Sequence, residues 1–195
     1  MDIAGAGIFI ISTLIGLFVL LLMLRFLLRL AKADYYNPIS QGIVSITNPV
    51  LKPVSLAVPS LGRFDLPTLL VAILVQFIGL MVTMALYGYP FFSLLYLGWA
   101  MVGVVSLVLN IYFFALIIVV IASWIAPNTG HPVLSLATQI TEPLCGPARR
   151  LIPPMGGLDL SVMFVIMGLI LLEEYLLVPP LAAILRVQSG LMIGL

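Results

Sequence analysis

Residues 37–67 read NPISQGIVSITNPVLKPVSLAVPSLGRFDLP, and residues 131–161 read HPVLSLATQITEPLCGPARRLIPPMGGLDLS. Slid by 94 residues, the two stretches align without a gap. Nine positions carry the same residue: Pro38/Pro132, Ile46/Ile140, Thr47/Thr141, Pro49/Pro143, Pro53/Pro147, Pro59/Pro153, Gly62/Gly156, Asp65/Asp159 and Leu66/Leu160. Each proline fixes φ and removes a backbone donor, so a proline spacing of 4 and then 6 residues kept in both copies marks a repeated structural element. The chain is a tandem repeat, and each copy carries a structured connection.

What those connections join is apolar enough to cross a bilayer. Of the 195 residues, 63% are apolar and 8% charged, against roughly 45–50% and about 25% in an ordinary soluble domain. That balance excludes a soluble enzyme. Eight basic and seven acidic residues nearly cancel, which leaves no basic field for nucleic acid. The single cysteine, Cys145, excludes a disulfide framework, an iron–sulfur cluster and a CxxC site, and the single histidine, His131, excludes a His-rich metal centre. No phosphate loop, Ser/His/Asp set or metal-ligand spacing is present, so no catalytic residue and no cofactor are expected.

A bilayer helix needs about 20 mostly apolar residues. Residues 3–24 carry no charge, and the apolar pattern continues to Leu30 past Arg25 and Arg29. No basic segment precedes this run, so it is expected to be a retained first span rather than a signal peptide. The 76 residues 66–141 carry no formal charge and must hold more than one crossing. Tyr87-Gly88-Tyr89-Pro90 interrupts them, placing a second span at 66–86. Carrying the offset upstream maps Ile3 onto Leu97, which sets a third span at about 97–124 and leaves 91–96 as an aromatic lead-in. A last apolar run covers about 158–178, interrupted by Glu173 and Glu174.

The charges give the same count. Arg25, Arg29, Lys32, Lys52 and Arg63 flank or occupy the first connection, Arg149 and Arg150 occupy the third, and only Arg186 lies elsewhere. Lys and Arg favour short cytoplasmic loops. If both proline-rich connections are cytoplasmic, an even number of crossings separates them, which gives four spans with both termini outside. The expected fold is therefore an all-α membrane protein of four transmembrane helices. It forms two parallel repeats, residues 1–90 and 91–184, followed by a tail, 185–195.

Within each connection, Ile39, Ile43, Ile46 and Val50, and in the other copy Val133, Ala137, Ile140 and Leu144, recur at helical spacing. Ser40, Gln41, Ser45 and Thr47 fall largely on other faces. The pattern predicts an amphipathic helix laid in the interface or over the bundle. Asn37 caps it with Pro38 in first position, and Asn48-Pro49 or Glu142-Pro143 is expected to end it. Asp65 and Asp159 stand where the next span starts, where a carboxylate accepts from free N–H groups and complements the helix dipole.

These residues carry a family resemblance. Asn37-Pro38, Thr47-x-Pro49, Pro53, Pro59, Gly62 and Asp65, with His131-Pro132, Thr141-Glu142-Pro143, Pro147-Ala148-Arg149-Arg150-Leu151-Ile152-Pro153 and Gly156-Gly157-Leu158-Asp159, resemble the tandem signature of the YggT family of small bacterial membrane proteins, also called YlmG. Ser123-Trp124-Ile125 fits it too. The resemblance covers almost the whole chain. It implies a bacterial inner-membrane location and links to osmotic tolerance, and in relatives to organisation of division or of plastid membrane complexes. The family tends to carry an Arg-Arg pair in both copies, whereas Ser55 and Leu56 stand opposite Arg149 and Arg150.

Four residues are the functional candidates. Glu173 and Glu174 are intramembrane carboxylates by position, about 20 Å along the last span from Asp159, and such groups are costly unless used. The alternative places the pair at the outer headgroup level, with the helix ending before Pro179-Pro180. Their counterparts are Gly79 and Leu80, so no symmetric site exists. Arg149 and Arg150 serve as a topology signal and as a grip on anionic headgroups. His131 reads as a helix-start residue, Cys145 as a small buried apolar residue opposite Leu51, and Gln76 and Asn110 as amides joining helices. Two functions fit. One is a non-enzymatic organiser or partner-binding protein that works on the lipid bilayer, another membrane protein or itself. The other is a small oligomeric channel or transporter with a polar path through Glu173, Glu174, Asn110 and Gln76.

Overall fold

The computed structural model describes residues 3–125, 130–152 and 159–185, so Pro153 and Gly156 of the second copy and Arg186 lie outside the described residues. Among the described residues the fold is all-helical, in the order α1 (Ile3–Leu30), α2 (Pro38–Ala57), α3 (Leu66–Leu86), α4 (Leu95–Ile125), α5 (Pro132–Leu151), α6 (Leu160–Leu171), a π-helical segment (Leu172–Leu177) and α7 (Val178–Leu185). Four stretches are long and apolar enough to cross a membrane: Gly5–Leu30, Leu66–Leu86, Leu95–Ile125 and Leu160–Leu181. The chain is a multi-pass membrane protein. At 1.5 Å per residue α4 is about 46 Å long, more than the hydrocarbon thickness of about 30 Å, so it tilts or stands proud of the bilayer. It also starts earlier than the offset implies: Tyr96 is buried in its first turn, its hydroxyl donating to Pro90 O at 2.9 Å.

α1 packs along α3, and α3 packs on α4. At Gly79 of α3 a Cβ would lie 2.7 Å from Ile15 Cγ2, so the two helices approach to a distance that only glycine permits without a shift. Leu80 and Met84 of α3 meet Tyr96, Trp99 and Ala100 of α4 in one apolar cluster. The larger core joins α1 to α6 through Leu22, Leu27, Ile43, Val71, Leu116, Ile140 and Val162. Between α2 and α3 the chain turns through Leu61 and Phe64, which exchange N–H···O bonds of 3.0 Å. Gly62 sits there at φ +62°, a left-handed conformation that a side chain would strain. Phe64 then stands edge-on to Phe26 at 5.2 Å.

Three expectations need correction, two about the connections and one about the last span. The helices do not end at Asn48-Pro49 and Glu142-Pro143; they continue to Ala57 and Leu151 with Pro49, Pro53, Pro143 and Pro147 inside them. An interior proline removes one N–H and strands the carbonyl four residues back. All four prolines, and Ser45 with its stranded carbonyl, lie on the exposed side, where water or headgroups can satisfy the loss. A spacing of four keeps these defects on one face.

The buried stripe is also rotated from the one expected. In α2 it runs through Ser40, Ile43, Thr47 and Leu51, while Ile46 and Val50 are exposed. In α5 it runs through Leu136, Ala137, Ile140, Thr141 and Cys145. The threonines can be buried because their hydroxyls donate back to Ile43 O at 2.7 Å and Ala137 O at 2.9 Å, which spends the polar group inside the helix.

The third correction concerns the last span, which does not end before Pro179-Pro180. The backbone widens to a π segment at Leu172–Leu177 and then resumes as α7 through both prolines. The prolines thereby occupy the first turn of a new helical segment, where a missing N–H costs least.

Candidate functional site

Three polar clusters stand out among the described residues of the apolar bundle. The first is the α1–α2–α3 junction. Arg25 Nη1, near the end of α1, donates to Thr47 Oγ1 at 2.7 Å, Asn48 Oδ1 at 2.8 Å and Val44 O at 3.4 Å, fixing α2 to α1. One turn on, Arg29 Nη1 lies 3.2 Å from Asp65 Oδ2. Asp65 stands at the N-cap position of α3, but its side chain accepts no helical N–H. The capping role expected of Asp65 is replaced by the pair with Arg29 and by a bond from Ser60 Oγ at 3.3 Å. An opposite charge from a neighbouring helix outcompetes the local N–H groups for the carboxylate.

The second place is the matching junction of α5 and α6. Asp159 Oδ1 accepts from Ser161 N at 3.1 Å and from the Ser161 hydroxyl, while its Oδ2 accepts from Arg149 Nε at 2.7 Å. Arg149 Nη1 also donates to Glu142 Oε2 at 2.8 Å. Burial alone would raise the Asp159 carboxyl, but the bonds from Ser161 and Arg149 outweigh it and hold the group below the usual carboxylate range. Asp159 and Glu142 together hold the Arg149 guanidinium above its ordinary value against some desolvation. Arg150, beside it, is exposed. Each repeat thus pairs its aspartate with an arginine, but from a different helix: Arg29 of α1 in one and Arg149 of α5 in the other. The substitution of Ser55 for Arg149 is answered by Arg29, whose own counterpart is Ser123.

The third place is inside the bundle. Glu173 Oε1 accepts from Ser106 Oγ at 2.6 Å and from Asn110 Nδ2 at 2.7 Å. Ser106 and Asn110 are one turn apart on α4, and Asn110 Nδ2 also donates to Ser106 O at 3.1 Å. Glu173 belongs to the π segment, a wider turn that often marks function. Glu174 is exposed and does not join the cluster. Gln76 is buried in α3. The expected path is therefore not one cluster, since Glu174 stands apart: Asn110 meets Glu173, with Ser106 added. Ser106 could have been found from its spacing of four to Asn110 in an otherwise apolar span.

His131 is the N-cap of α5, its Nδ1 accepting from Val133 N at 3.3 Å. Cys145 is buried, and that burial pushes its thiol up. Among the described residues no group of three His, Cys, Asp or Glu side chains could hold a metal ion. The first connection touches α5 at two points: Asn37, the N-cap of α2, donates from Nδ2 to Pro132 O at 2.9 Å, and Asp34 N, in the loop before α2, donates to Gln139 Oε1 at 2.7 Å. An apolar cleft of about 720 Å³ opens between α1, α2, α4 and α5, lined by Leu24, Ile43, Phe114 and Ile140, with Asn110 as its polar residue.

A family model described as CCB3/YggT matches the chain twice, at residues 4–86 and 98–180. This chain belongs to the CCB3/YggT family. The interval between the two YggT matches equals the 94-residue offset of the internal repeat, so each family domain supplies a long apolar helix, a proline-bearing amphipathic helix and a second apolar helix. The chain is 43% identical over 192 residues to an uncharacterised protein of Pseudomonas aeruginosa, covering 97% of each. It is 39% identical over 164 residues to an uncharacterised protein of Vibrio alginolyticus, covering 83% of this chain and 88% of that one. It is 33% identical over 159 residues to the uncharacterised YggT of Escherichia coli K12, covering 82% of each. No solved structure matches this chain significantly.

Proposed function

We propose that this YggT-family chain is a non-enzymatic organiser of the bacterial inner membrane, which binds another membrane protein, or a second copy of itself, through the α2 and α5 helices. In this reading both connections face the cytoplasm and both termini face outward, as the basic residues at the connections favour. The observation that carries the reading is the contact between the two repeated connections: Asn37 at the start of α2 and Asp34 just before it both bond to α5. Exposed apolar side chains remain on both helices, with Ile46 56% and Leu56 90% exposed on α2 and Leu151 84% exposed on α5. Such a face serves the osmotic or division-related roles that the family resemblance implies.

A second reading, a small oligomeric channel or transporter, is favoured by Glu173 held between Ser106 and Asn110 inside the bundle. One experiment separates the two. Membrane co-purification should fall sharply in Ile46→Asp with Leu56→Asp, changes on exposed positions that leave the core intact, while Glu173→Gln keeps it. Purified protein that conducts ions in proteoliposomes, with the flux abolished by Glu173→Gln and untouched by the α2 changes, would reverse the assignment.

A further inference from the structure

A cavity of about 330 Å³ opens where α1, α2 and α3 meet, lined by Arg25, Arg29, Lys32, Tyr35, Ser40 and Asp65 among others. Three cations share it with one carboxylate, and that carboxylate is taken by Arg29. Arg25 spends Nη1 on three neutral oxygens and has no ion-pair partner within salt-bridge distance among the described residues. The site is therefore positive in excess.

A second, independent feature points to a ligand. Ser40 is 4% exposed, lines the cavity, and its hydroxyl has no hydrogen-bond partner among the described residues. A buried hydroxyl without a partner costs stability, and a hydroxyl beside excess positive charge is suited to donate to an anionic oxygen.

Depth decides the source of the anion. Arg25 and Arg29 stand five residues and one residue before the end of α1, so their backbone lies within about 8 Å of the helix end at 1.5 Å per residue. Asp65 immediately precedes α3. The cavity thus lies where one end of α1 meets the start of α3, the part of a membrane-spanning bundle that faces lipid phosphates.

We propose that this α1–α2–α3 cavity binds the phosphate group of an anionic phospholipid, with Arg25 and Lys32 supplying charge and Ser40 a hydrogen bond. The site belongs to the first repeat alone. At the 94-residue offset Val119, Ser123 and Leu134 replace Arg25, Arg29 and Ser40, so the second repeat has neither the charges nor the hydroxyl. The proposal stands independently of the partner-binding reading.

The test uses the full chain in a neutral detergent, titrated with mixed micelles containing phosphatidylglycerol or phosphatidylcholine and read by native mass spectrometry of retained lipid. The wild type should retain phosphatidylglycerol preferentially. Lys32→Gln should weaken that preference roughly fivefold, as expected for one cation at the membrane surface. Ser40→Leu, which installs the second-repeat residue and fills the cavity, should abolish it. Lys52→Gln, on an exposed position of α2 outside the cavity, is the control and should leave it unchanged. If Ser40→Leu does not fold, Lys32→Gln against Lys52→Gln still decides. Equal loss in both lysine variants would overturn the pocket in favour of diffuse surface attraction. Displacement of phosphatidylglycerol by inorganic phosphate at equal concentration would overturn the lipid assignment.

Discussion

Replacing Glu173 tests whether its carboxylate is held as the geometry implies. Oε1 accepts two hydrogen bonds, from Ser106 and Asn110. Side-chain hydrogen bonds between membrane helices average about 0.6 kcal/mol, with a maximum of about 1.7, so losing both should cost on the order of 1–3 kcal/mol. Glu173→Leu removes the oxygen that accepts both bonds. Ser106, fully buried, then has to turn its hydroxyl back to its own helix, and Asn110 keeps its bond to Ser106 O. Glu173→Gln retains a carbonyl oxygen at the same reach to accept both bonds, so it should stay within about 0.5 kcal/mol of the wild type, the usual range of changes that break no buried feature. Unfolding by SDS titration in mixed micelles gives the comparison. A cycle isolates the coupling: in a background of Ser106→Ala with Asn110→Ala, Glu173→Leu should cost about 1 kcal/mol less than it does in the wild type. Equal cost in both backgrounds, or a larger loss for Gln than for Leu, would refute the reasoning.

The two aspartates should respond differently. At Asp159, Asn preserves a cap acceptor and Ala does not, so Asp159→Ala should be less stable than Asp159→Asn by about 1 kcal/mol, whereas at Asp65 both Ala and Asn should melt below the wild type because each removes the charge paired with Arg29. Asp159 is held below the usual carboxylate range when folded, so its contribution is complete above the unfolded value of about 3.9 and is lost as pH falls through the folded value. The stability difference between wild type and Asp159→Asn should therefore shrink in acid, checked by melting from neutral pH to below about pH 4. For topology, cysteines at Ser60 and Arg150 in a Cys145→Ala background should react with an impermeant maleimide only after the inner face is opened, and reaction in intact cells would reverse the orientation.

The four crossings were legible because a bilayer crossing is set by length and apolar content, and both are one-dimensional properties of the chain. The repeat was legible because prolines at fixed spacing leave the same mark twice. Helix ends in the connections were not. A proline was expected to stop α2 at Pro49, yet a helix with one exposed face can leave the carbonyl of Ser45 unbonded at little cost. Nor was the inward face, since Thr47 and Thr141 count as polar until their hydroxyls are seen to close on their own helices.

By itself the sequence determined an apolar, four-crossing chain with a duplicated connection, because hydropathy, charge and proline spacing act locally. Tertiary structure decided which charges meet. Arg25 reaches Thr47, Arg29 reaches Asp65, and Ser106 and Asn110 reach Glu173, over separations of 22 to 67 residues. No local periodicity encodes such pairs. They exist because helix packing brings distant turns to the same depth, where an ionised group in a medium of low dielectric must be met by whatever donor or counter-charge the neighbouring helix presents.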